Sequence, residues 1–220
     1  MSTNPQQILL SFPTLVDMSA ESFMLLPSNH QAFMALQNFP ATSGDVLAIY
    51  GESGVGKSHL AEIYKQRTGA EDFMHKSAQN SLDLTAEKHM VCDNVHLLKK
   101  DEQEALFHLY NHIKSFGGSL VVTSHQPISQ LDLLPDLKSR LLTAPQIQIE
   151  QPTDAHLEVL LVKMAADKQM YIEPKVVTFI LKNCHRSVFA ISHVLTKLDA
   201  LSLEQKRKIT VPLVKEALGL

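Results

Sequence analysis

The sequence carries little that would cross-link it. Only two cysteines occur, Cys92 and Cys184. They lie far apart in the chain and suggest neither a disulfide framework nor the spacing of a zinc site, a usage that fits a reducing cytosol. Charge of one sign is not in excess. The formal net charge is −3 at pH 7, which gives no global case for nucleic-acid binding. No apolar run approaches the roughly 20 residues of a membrane-spanning helix. The first residues lack the basic start and apolar core of a signal peptide, so a cytoplasmic location is expected. Repeats and low-complexity tracts are absent. What is present is apolar residues at 45% of a 220-residue chain, enough for a proper core in one large domain or two small ones.

The most informative stretch is Gly51-Glu52-Ser53-Gly54-Val55-Gly56-Lys57-Ser58. It fits G-x-x-x-x-G-K-[ST], the phosphate-binding P-loop. The apolar run Val46-Leu47-Ala48-Ile49-Tyr50 precedes it at strand length, and Leu60, Ile63 and Tyr64 follow at helical spacing. Glycines let the backbone wrap round a phosphate with its N–H groups inward, and a helix N-terminus adds partial positive charge. Lys57 is expected to reach the β- and γ-phosphates of ATP, or the β-phosphate of ADP, with Ser58 holding Mg²⁺ and His59 following directly. The bland alternative is a glycine-rich strand-to-helix turn without a ligand.

Further on, Lys88-His89-Met90-Val91-Cys92-Asp93-Asn94 reads as a buried strand ending in an acid. After a P-loop, that acid is expected in the magnesium shell; otherwise it is an Asx turn. Asn94 stands where such ATPases often place a carboxylate to activate water. An amide cannot serve as a general base, so the site reads as built to hold a nucleotide better than to cleave it. The strand Ser119–Thr123 ends in Thr123-Ser124, polar groups that either sense the γ-phosphate or cap the strand. His108 and His112 share a helix face without the further ligands a metal needs. Residues 136–142 predict a short helix, and 146–149 an outer strand. Beyond residue 150 only helices are expected, beginning at Thr153, Pro174, residue 186 and Thr210. A second short helix is expected after a Ser28 cap, and a short strand around Phe73-Met74. Near the start, Gln7-Ile8-Leu9-Leu10-Ser11-Phe12 puts Leu10 and Phe12 on one side of an extended segment. That suits either a pocket-docking peptide or a strip packed on its own domain.

P-loop, Asp93 strand, Thr123 strand, Arg140 helix and helical lid occur in the order of the AAA+ ATPases. Within them the chain resembles the DnaA/Hda group along nearly its whole length. Phe23 to Ala32, with Asn29, is similar to the family box beside the adenine pocket, although Leu26 replaces its glycine. Leu134-Pro135-Asp136-Leu137-Lys138-Ser139-Arg140-Leu141 resembles its L-P-D-L-x-S-R segment, and residues 207–218 are very like the C-terminus of the Hda branch. The resemblance implies an AAA+ fold: a parallel sheet flanked by helices over 21–151, then a small all-α lid over 152–220, with residues 1–20 as an extension. It implies that Arg140 acts as an arginine finger on a neighbour's nucleotide, and that Arg186 faces the phosphates as the lid's sensor arginine. It identifies Gln7, Leu10 and Phe12 with a peptide that binds the DNA polymerase sliding clamp. The implied role is a regulator that docks on the clamp and stimulates ATP hydrolysis by the initiator DnaA, with weak or no ATPase of its own. The chain stops at Leu220 without DnaA's DNA-binding domain, so no direct sequence-specific DNA binding is expected. Three departures from the family pattern are His125, Gln126 and Phe189. A helicase loader of the DnaC type and a nucleotide-gated adaptor without a catalytic Arg140 stay open as alternatives, as does a homodimer.

Overall fold

The fold follows from three strands with no polar face. A computed structural model describes residues 23–78 and 88–220; the Gln7–Phe12 peptide lies outside them. Among the described residues, five strands form a wholly parallel sheet ordered β2-β3-β4-β1-β5. They are β1 (Asp45–Tyr50), β2 (Glu71–Asp72), β3 (Lys88–Cys92), β4 (Gly118–Ser124) and β5 (Gln146–Gln148). The three central strands are apolar on both sides, as a parallel sheet covered on both faces requires. Val46, Ala48, Met90, Cys92, Leu120 and Val122 face one way, against α4 (Lys100–Phe116) and α5 (Pro135–Leu141). Leu47, Ile49, Val91 and Val121 face the other, against α1 (His30–Gln37) and α2 (Lys57–Thr68). A short α3 (Phe73–Ala78) follows β2.

After β5 the chain is helical: α6 (Asp154–Asp167), α7 (Pro174–Asn183), α8 (Val188–Gln205) and α9 (Val211–Leu218). These helices close on their own core of Leu157, Leu161, Val177, Ile180, Leu195, Leu198 and Leu213. The expected starts hold. Thr153 accepts a hydrogen bond from the His156 N–H at 3.3 Å, and Pro174 and Pro212 sit in the first turns of α7 and α9. No helix among the described residues is long and apolar enough to cross a membrane.

Two local expectations are corrected. The N-cap of α1 is Asn29, not Ser28. The Ser28 carbonyl is drawn instead to the Glu150 N–H at 3.1 Å, tying this segment to the chain beyond β5. The strand placed at Phe73-Met74 ends one residue earlier, at Asp72. The Asp72 carboxylate accepts from the His75 N–H at 3.2 Å, which favours a helical turn over continued pairing. In addition, α8, expected from residue 186, begins at Val188 behind a Ser187 cap.

Candidate nucleotide site

Register brings the candidate residues together. Cys92 pairs with Val122, so Asp93 comes off the end of β3 beside Thr123 at the carboxyl end of β4. Tyr50 pairs with Ser124, and the next N–H, that of Gly51, donates to the Ser124 carbonyl at 3.2 Å. The P-loop, the acid strand and the Thr123-Ser124 strand therefore meet at one edge, where open α/β sheets place their ligands.

The loop needs its glycines. A Cβ on Gly51 would stand 2.3 Å from the Ile149 carbonyl oxygen. Gly54 has φ +79°, and a Cβ there would stand 2.6 Å from that of Ser187. Gly56, the left-handed N-cap of α2, accepts from the Leu60 N–H at 3.0 Å. The N–H groups ahead of Leu60 are the donors that any helix start leaves for an anion. Lys57 is buried, and its ammonium donates to the carbonyls of Gly51 and Glu52 at 2.8 and 2.7 Å. Burial pushes its pKa below the usual lysine value, while the negative charge of Asp93 pulls it up. Val55 is buried under the loop; Glu52 and Ser53 are exposed, and the Glu52 carboxylate accepts from the Gln151 amide.

The acid is held on both oxygens. Asp93 Oδ2 accepts from Ser58 Oγ at 2.8 Å and from Asn94 Nδ2 at 3.0 Å, and Oδ1 accepts from Thr123 Oγ1. Thr123 Oγ1 in turn accepts from the Asn94 N–H at 2.8 Å. Thr123 thus fixes Asp93, and Ser124 Oγ donates to the Gln126 carbonyl at 2.6 Å. Asn94 sits at φ 57°, ψ 52°, a left-handed conformation that Asn tolerates better than most residues. One carboxylate and one hydroxyl at hydrogen-bond distance are hard oxygen donors. They suit Mg²⁺, which takes few protein ligands and completes its shell with phosphates and water. Among the described residues no group of three His, Cys, Asp or Glu side chains could hold a metal alone. His108 is exposed, and His112 is buried, stacked on Phe116 at 4.8 Å.

The remaining candidates fall in different places. Phe23 stacks on Phe33 at 5.4 Å and meets His59 edge-on at 5.1 Å, walling the start of α2. Asn29 is buried within that wall. Its Oδ1 accepts from the Leu26 N–H at 2.8 Å, and its Nδ2 donates to the Met24 carbonyl at 2.9 Å. Arg186 is exposed and pairs with Asp154 at 3.2 Å. Its neighbour Ser187, which sequence reasoning passed over, is the residue that touches the loop at Gly54. Ser187 also caps α8 by accepting from the Ala190 N–H at 3.1 Å. A serine immediately ahead of the apolar run Val188-Phe189-Ala190-Ile191 was the available signal. Arg140 lies exposed at the end of α5, and its guanidinium forms no ion pair among the described residues, with Asp136 or any other acid.

Comparison with known proteins accords with this arrangement. The Hda lid-domain family matches residues 154–218. An uncharacterised protein of Haemophilus influenzae is 30% identical over 186 residues, covering 78% of this chain and 80% of its own. The chain belongs to the DnaA/Hda-type AAA+ proteins. The chromosomal replication initiator protein DnaA of Aliarcobacter butzleri is 26% identical over 220 residues, covering 89% of this chain; the chain spans 50% of that initiator. Among solved structures, domain III of Thermotoga maritima DnaA superposes with TM-score 0.76 at 20% identity, covering 94% of this chain and 98% of its own. DnaA from Aquifex aeolicus, bound to AMPPCP, superposes with TM-score 0.69 at 18% identity over 87% and 69%. This DnaA/Hda-type chain carries a parallel sheet, a P-loop and a helical lid.

Proposed function

We propose that this chain is a replication-initiation regulator of the Hda kind. It holds ADP or ATP with Mg²⁺ in its own site, docks on the DNA polymerase sliding clamp, and stimulates ATP hydrolysis by DnaA to leave inactive ADP-DnaA. The observation that carries the reading is a contrast within one chain. Its own site has an amide where a base would stand, with Asn94 Nδ2 turned onto Asp93 at 3.0 Å. Its surface presents Arg140 without an ion-pair partner among the described residues. Family membership, the AMPPCP-bound relative and the lid match support the same reading.

Each residue then has a role. The P-loop N–H groups and Lys57 bind the phosphates; Ser58 and Asp93 hold Mg²⁺; Thr123 and Ser124 keep the strand ends in register with the loop. Phe23 to Asn29 and His59 wall the base side, and Arg186 swaps Asp154 for a phosphate. Mg²⁺, when bound, neutralises phosphate charge. Arg140 works in trans. A guanidinium is permanently charged and straddles two phosphate oxygens, so a neighbour's γ-phosphoryl group gains charge stabilisation. In small GTPases such a finger is worth about 10³–10⁵ in rate. Gln7, Leu10 and Phe12 provide the clamp contact.

The test is ATP hydrolysis by DnaA in the presence of clamp loaded on DNA and the full chain. Stimulation is expected with the unmodified protein and lost in Arg140→Ala and Arg140→Lys, and in Gln7→Ala/Leu10→Ala. Normal stimulation by Arg140→Ala would leave an adaptor without a catalytic arginine. Brisk ATP turnover by the isolated chain, within the usual ~1–10³ s⁻¹ of enzymes, would point instead to an independent ATPase such as a helicase loader.

A further inference from the structure

Two imidazoles stand where the strand ends meet the phosphate loop, and nothing above uses them. His96 lies on the 3₁₀ turn Val95–Leu97 that follows the acid strand. His125 follows Ser124 at the end of β4. Their ring centroids are 4.1 Å apart and the rings are tilted by 58°. His96 is partly buried, and its Nδ1 is enclosed without a hydrogen-bond partner among the described residues. His125 is exposed on a cleft of about 720 Å³ that it shares with Gly51, Glu52 and Ser53 of the loop.

Resting on the nucleotide-binding reading, we infer that the His96–His125 pair reads the terminal phosphate of a bound nucleotide and takes up a proton when a triphosphate is held. An enclosed nitrogen with no partner is costly to leave unsatisfied. A phosphate oxygen at the loop would satisfy it, and protonation of either ring makes all its nitrogens donors. The charged groups around His96 set the sign. Its pKa is lowered first by burial, then by His125 and by the Lys57 ammonium, and Asp93 alone pulls it up. Without a nucleotide, His96 is therefore held towards its neutral form. A γ-phosphate adds negative charge beside the pair and reverses that balance. The ring of His125, 4.1 Å away, stands close enough to share such an oxygen with His96. Triphosphate affinity consequently rises as pH falls from about 8 towards 6, the range in which imidazole titrates. Diphosphate affinity, lacking the terminal group, follows less.

The experiment is calorimetry of ADP and of AMPPCP, each with Mg²⁺, between pH 6 and 8 in buffers of different ionisation enthalpy. The unmodified chain is expected to take up more protons with AMPPCP than with ADP. In His96→Phe the ring volume stays and the nitrogens go. AMPPCP affinity is expected to fall about tenfold, the worth of one pKa unit, with ADP nearly unchanged. His96→Gln restores a hydrogen-bond donor without a titrating group, so it is expected to recover part of the affinity and none of the extra proton uptake. Equal proton uptake with both nucleotides, or an unchanged AMPPCP-to-ADP ratio in both variants, overturns the inference and leaves nucleotide binding standing. Failure of the unmodified chain to bind either nucleotide overturns both readings.

Discussion

The strand-end cluster and the helical bundle of α6–α9 dispose of their polar groups in opposite ways. At the strand ends, polar groups are drawn inward and, the His96 Nδ1 apart, bond one another. Lys57 bonds loop carbonyls, Thr123 and Ser58 bond Asp93, and Ser124 ties β4 to the loop. In the bundle the interior is apolar, and the charges, including Arg186–Asp154 and Arg207–Glu216, stand at the exposed surface. The bundle is thus held by apolar packing, and the strand-end cluster by hydrogen bonds among polar groups. Exposed ion pairs of the bundle kind contribute little to folding. Under the proposed function, the buried Lys57 at the helix start is placed for an anion.

The contrast can be broken at four points. The largest effect is expected from Leu161→Ala, at a fully buried bundle position. It should cost about 2–5 kcal/mol in denaturant unfolding, while calorimetry at low temperature finds ADP affinity little altered. A cost well under 1 kcal/mol would mean that the bundle is not packed as a core. Next, Lys57→Ala should lower ADP affinity at least tenfold, or about 1.4 kcal/mol, without a matching loss of melting temperature. Unchanged affinity would remove the phosphate role. Ser187→Ala deletes the cap of α8 and should cost about 1 kcal/mol of stability. Because the side chain also touches Gly54, its nucleotide affinity should fall too; a pure stability effect would separate lid from loop. The smallest stability effect belongs to Arg186→Ala, whose exposed pair with Asp154 is worth less than about 1 kcal/mol. A fall in ADP affinity at unchanged unfolding midpoint is expected, and the reverse pattern would make the arginine structural.

The same contrast explains what could be read beforehand. Apolar periodicity and caps are local, so the strands around Leu47, Val91 and Val121 and the helices after Thr153, Pro174 and Thr210 were visible in sequence. The P-loop and Asp93 were visible because their spacing is fixed by the phosphate geometry they would serve. What escaped depends on register and on distant contacts. Nothing near Ser28 announces that its carbonyl is claimed by Glu150, and nothing near Phe73 announces that Asp72 turns the chain first. The link between Ser187 and Gly54 joins segments more than a hundred residues apart. His96 and His125 lie on separate strand ends, so only the parallel register of β3 and β4 makes them neighbours. Arg186 was legible as a residue but not as a geometry, since its orientation is settled by Asp154 on another helix.

The seat of Ser187 on Gly54 gives the longest lid helix a fulcrum. α8 has 18 residues and spans about 27 Å at 1.5 Å per residue. Turning α8 by roughly 5° about that contact would carry its far end about 2.4 Å over that span. The far end holds Lys206 and the Gln205–Glu216 contact to α9. A tilt of α8 therefore shows at its far end and not at the Ser187 contact.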